Sequence, residues 1–170
     1  TGPAGLPLGD TLRALTGGEV SRATSVIVLE VRLPVAVMAL LVGGALGLAG
    51  AEMQTVLDNP LAEPFTLGVS GAAALGAAVA IVLGLSLPGV TPAAMVSANA
   101  FLFAVGSLAL LNMLAGLRAG GPEVLVLFGI ALSFCAQALL ALVQFVASAD
   151  ALQQLVFWTM GSLSAADWGR

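Results

Sequence analysis

The chain has 170 residues, 59% of them hydrophobic and 8% charged, with a mean hydropathy of +1.09. Soluble domains carry roughly 25% charged residues, so a water-soluble globular fold is excluded. Nine acidic residues stand against five arginines, with no lysine, histidine or tyrosine. This removes most side chains that run acid/base chemistry or bind transition metals, and nucleic-acid binding, which needs a basic surface, is excluded as well.

The first 32 residues are glycine-rich and mixed, with a short apolar patch at Val26–Leu29, and read as an extramembrane segment leading into the first span. A helix crossing an apolar layer of about 30 Å needs ~20 residues, because every backbone group must be hydrogen-bonded inside the layer. Leu33 to Ala51 is a charge-free run of 19 residues, and its helix can continue to about residue 57, before Asn59-Pro60 stops it. The next charge-free run, Pro64 to Leu117, is 54 residues long and must hold two spans, broken at Pro88, Gly89 and Pro92. Spans at about 65–87 and 92–117 follow. A fourth, 124–149, is introduced by Gly120-Gly121-Pro122 and closed by Asp150. Residues 151–168 suit a short interfacial segment, with Trp158 and Trp168 at headgroup depth. The expected fold is therefore all-α and polytopic, with a transmembrane domain over 33–168. An even number of spans places both chain ends on one side.

Helices associate in lipid by close approach at small residues. In the second span Gly68, Ala72, Gly76, Ala80 and Gly84 recur every fourth residue, and Gly43, Gly47 and Ala51 repeat the spacing in the first. Tight packing is the reading for both ridges, and for Asn99 and Asn112 in the third span. In the fourth span Ser133, Gln137 and Gln144 fall within about 40° of one another at 100° per residue. Such a polar stripe faces other helices or a wet cavity, since amides facing lipid are costly. Glu52 is the one charge well inside a span; at ~28 Å along the helix it can snorkel.

The stretch Val31-Arg32-Leu33-Pro34, with ALLVGGALGLAGAEMQTVLDNPLAEPFTLGVSGAAALGA from Ala39 to Ala77, resembles the permeases of iron-siderophore, haem and cobalamin ABC importers. LFGIALSFCAQALLALVQFVASADALQQLVFWTMGSLSAADW, from Leu127 to Trp168, resembles the same family's next diagnostic region, and together the blocks cover nearly half the chain. The resemblance implies a fragment of a roughly ten-helix permease supplying helices two to five. It implies a multi-pass place in the bacterial inner membrane and import of an iron chelate such as a ferric siderophore, haem or cobalamin. Its implied partners are ATPase subunits that use the ATP, a periplasmic or lipid-anchored binding protein, a second permease subunit in a homo- or heterodimer, and membrane lipid. No cofactor is expected on the chain itself, and no enzymatic activity.

Carried over by residue, Arg32 matches the family's docking arginine at the outer start of its second helix. Val35 stands where a second arginine is common, which reduces the docking charge or moves it to Arg22, with Arg13 a more distant substitute. Asn59, Pro60 and Pro64 match the stiff cytoplasmic turn, although Asp58 and Phe65 depart from the family pattern. Ser133, Gln137 and Gln144 gain weight as the translocation path, and Gly161 and Ser162, beside Ser164, as part of an outer gate. The implied topology puts Arg13, Arg22, Arg32 and Arg170 outside and Arg118 alone inside, against the positive-inside rule. The alternatives are an ion-coupled carrier or channel without an ATPase, and a non-transporting membrane scaffold.

Overall fold

The computed structural model describes residues 5–63, 65, 67–117 and 121–168; Pro64, Arg118 and Arg170 lie outside that set. Among the described residues all regular structure is helical. A short helix α1, Leu8–Leu15, precedes a continuous 35-residue helix α2, Arg22–Val56. Then follow α3 (Val69–Val82), α4 (Pro92–Leu117), α5 (Pro122–Phe145) and α6 (Ala149–Met160).

Helices α2, α4 and α5 are long and apolar enough to cross a membrane, while α3 is apolar but shorter. The long helix starts at Arg22 and not at Leu33. Ser21 caps it, its hydroxyl accepting the Thr24 N–H at 3.2 Å, so the apolar patch at 26–29 is helical and continuous with the first span. At the other end the Asn59 N–H reaches Gln54 O at 3.1 Å and Asp58 takes φ +46°, the left-handed turn that closes a helix.

The second span is trimmed from the expected 65–87 to the 14 residues of α3, about 21 Å of helix. Two glycines of its ridge cause this. Gly68 has φ +77° and precedes the first turn; Gly84 has φ +60°, with the Leu85 N–H bonded to Ala80 O at 3.0 Å. Both serve as terminators, and only Ala72, Gly76 and Ala80 remain as the buried ridge between them. The fourth span likewise ends at Phe145, because Ser148 opens a new helix by accepting the Ala151 N–H at 3.2 Å.

The chain divides into two compact units, one of residues up to Ala45 together with those from Ser162 on, the other Leu46–Gly161. In the first, the Trp168 indole donates to Leu29 O at 2.7 Å. In the second, α3 is central and packs against α4, α5 and α6. Its contact with α4 is backbone-close: a Cβ on Gly76 would stand 2.7 Å from Asn99 O and 2.8 Å from the Phe103 Cβ. Asn99 Nδ2 donates to Gly76 O at 2.6 Å, so this amide is a packing contact, as expected. The ridge of the first span behaves differently. Added Cβ atoms at Gly43 and Gly47 would meet nothing within 4 Å, since small residues permit close approach without specifying a neighbour.

Candidate functional site: a polar cleft where three helices meet

Helix α3 begins part-way along α5. The register is set by Gly68, where a Cβ would stand 2.7 Å from Ser133 Oγ and 3.0 Å from Gly129 O, and by Gly71, where one would stand 3.6 Å from the Ala136 Cβ. Only glycine meets both the positive φ and the contact at Gly68. From Ser133 on α3 runs alongside α5, and α6 packs back against α3.

A cleft of about 500 Å³ results, lined by Phe65, Gly68, Ser70, Gly71, Ser133, Gln137, Trp158 and Thr159, with Ala73 and Ala74 behind them. Its lining carries hydroxyls, one amide, two aromatic rings and small residues, and no ionisable side chain. The Ser133 hydroxyl donates to Gly129 O at 2.9 Å, leaving its lone pairs for the cleft. Thr159 is tied to Val156 O in the same way, at 2.9 Å. Gln137 is exposed and presents its amide freely.

The structure thus brings together Ser133 and Gln137 of the predicted stripe. Gln144 is not among the lining residues; it stands two turns further along α5 than Gln137, roughly 10 Å away. Trp158 is half-buried and turned into the cleft. The periodicity argument passed over Ser70, Trp158 and Thr159. The signal that could have found them is Gly68 at the head of an apolar helix, a position that marks close approach of another backbone.

The remaining predicted residues are dispersed. Arg22 is exposed; Arg32 is half-buried, with its Nη2 enclosed and without a hydrogen-bond partner. Asn59 shapes its turn, Oδ1 accepting the Leu61 N–H across Pro60 at 2.9 Å. Gly161 ends α6 with φ +69°, and Ser162 and Ser164 share a hydroxyl bond of 2.6 Å. Glu52 lines a smaller, mainly leucine-walled cleft of about 190 Å³ together with Asn112. Among the described residues no group of three metal-ligating side chains occurs.

These features define an all-helical, multi-pass membrane protein built around a glycine-started half-helix. The model of the FecCD transport family matches residues 1–170, and the chain belongs to that family. It is 41% identical over 165 residues to the ferric enterobactin transport system permease protein FepD of Escherichia coli, covering 95% of this chain and 47% of that one. It is 36% identical over 167 residues to the vitamin B12 import system permease protein BtuC of Salmonella newport, covering 93% and 50%. The fold is similar to a solved structure described as an inward-facing metal-chelate type ABC transporter, with TM-score 0.76 and 30% identity over 95% of this chain and 54% of that one. The chain spans about half the length of the curated relatives it matches.

Proposed function

We propose that this chain is part of the membrane permease of an ATP-driven importer for a metal chelate, a ferric siderophore foremost, in the bacterial inner membrane. The observation that carries the reading is the cleft between the start of α3, α5 and α6 in a chain of this family. A bulky chelate of mixed polarity must bind well enough to enter and weakly enough to leave. Two hydroxyls tied to backbone, a third at Ser70, one free amide, two rings and glycine walls offer many weak contacts and no charge to trap cargo. Gln144 continues the same helix face beyond the cleft, and Gly161 and Ser162 would belong to its outer gate.

ATP hydrolysis comes from separate ATPase subunits, and a second permease subunit, identical or related, completes the path. A periplasmic or lipid-anchored binding protein delivers cargo and docks through carboxylates on Arg22 and Arg32, with both ends of this chain facing outward. The turn at Asn59-Pro60, with Pro64 beyond the described residues, faces the cytoplasm.

The test is uptake of labelled ferric siderophores, haem and cobalamin by cells lacking the full-length gene, complemented with wild type or Gln137→Phe. Loss of one cargo, restored by wild type and poorly by Gln137→Phe at equal membrane abundance, is the expected result. Full restoration by Gln137→Phe would remove the cleft from the path. Unchanged uptake of every cargo, with paralogues deleted, would remove the importer reading.

A further inference from the structure

Helix α2 makes a π turn over Ile27–Arg32, immediately ahead of Pro34. A proline inside a helix has no N–H to give, and its ring clashes with the carbonyl four residues back, here that of Glu30. A widened turn relieves the clash, and the Leu33 N–H accordingly reaches back five residues to Val28 O. The Leu29 carbonyl is thereby left without a donor in its own helix. In an α register its donor would be the Leu33 N–H, which is committed to Val28; in a π register it would be the N–H of residue 34, which proline lacks.

The vacancy is filled from 139 residues away, where Trp168 Nε1 donates to Leu29 O at 2.7 Å. The same turn ends at Arg32, whose Nη2 is enclosed without a partner. A π turn holds one residue more than an α turn, so its conversion would rotate the preceding residues, Arg22 included, by about 100°. We propose that Trp168 is a positioning residue, a latch whose indole N–H holds the π turn and sets where the Arg32 guanidinium lies. With the latch closed Nη2 is withheld; opening it offers the planar guanidinium to a carboxylate of a soluble protein partner. The partner rests on the docking role given to Arg32 above, whereas the latch stands on the geometry alone.

The experiment uses the full-length permease in phospholipid nanodiscs, with hydrogen exchange read over residues 28–33 and phenylglyoxal modification read by mass spectrometry at Arg32. Trp168→Phe should speed that exchange roughly fivefold, the weight of one net hydrogen bond, and raise modification of Arg32. Adding Pro34→Ala supplies a backbone N–H for the orphaned carbonyl and should restore protection. Should Trp168→Phe not assemble, 3-benzothienylalanine at position 168 removes only the donor and keeps the ring. Exchange and Arg32 modification at wild-type levels after loss of the donor, or no restored protection with Pro34→Ala, would overturn the latch. A latch that passes while Arg32→Glu leaves uptake unchanged stands, and the docking role falls.

Discussion

At the scale of single residues, two glycines decide the interior of the larger unit for different reasons. Gly76 is required by distance: its missing Cβ would meet the Asn99 carbonyl and the Phe103 Cβ under 3 Å, and backbone cannot yield cheaply. Gly76→Ala should therefore destabilise the detergent-purified protein by about 1–3 kcal/mol, seen as a lower thermal midpoint. Gly68 is required by both conformation and distance, with φ +77° and Ser133 Oγ 2.7 Å from the added Cβ. Gly68→Ala should cost a further 1–3 kcal/mol or so of backbone strain. It should also reduce uptake, because the start of α3 forms one wall of the cleft. Gly43→Ala, on the open face of α2, is the contrasting control and should leave the melting of this chain unchanged.

At the scale of elements, helix ends matter more than helix interiors. Each helix that shapes the cleft stops or starts through an identifiable device: glycine at Gly68 and Gly84, Gly121 ahead of Pro122 for α5, and Ser148 for α6. Without a cap at Ser148, α5 and α6 would compete to run on as one helix, and α6 would lose its return path beside α3. Ser148→Ala should destabilise by about 1 kcal/mol. It should also make a cysteine placed at Thr159 more reactive to a water-soluble thiol reagent, with Cys135 replaced. Unaltered reactivity would mean that packing against α3, and not the cap, holds α6 in place. The π turn of α2 belongs to this scale too, since Pro34 creates the defect that the Trp168 indole repairs.

At the scale of the whole molecule, charge placement and the long apolar helices set the expectations. Arg22 is exposed where Arg32 is partly enclosed, so on the docking role proposed above Arg22 would be the more accessible of the two. Opposing like charges cost several kcal/mol at an interface, and Arg22→Glu should weaken docking of the cognate binding protein at least tenfold on that basis. Surface-plasmon measurements on full-length permease in nanodiscs would read it, and unchanged affinity would move docking elsewhere. Large apolar side chains along α2, Leu40, Leu41, Leu46 and Leu48, are exposed. They suit contact with lipid or with further permease helices, in a chain that covers about half of its relatives' length.

Much of this was legible in the residues. The thickness of a bilayer and the need to satisfy every backbone group inside it act locally, so charge-free length, cut at its proline and glycine breaks, lay within a few residues of most ends of α2, α4 and α5. The early start of α2 was the exception. The quoted blocks from Ala39 and from Leu127 carried the family, and Asn99 and the Ala72–Ala80 ridge were correctly read as packing. Spacing could not say that Gly68 and Gly84 end a helix while Gly76 packs inside it, because a glycine's role depends on the φ and the neighbour it meets. Nor could it separate Gln144 from Ser133 and Gln137, since angular phase on a helix says nothing of where a cleft stops along its length. The tertiary structure alone decided that, and joined Leu29 to Trp168. A carbonyl orphaned by proline takes whichever donor the folded chain brings within reach.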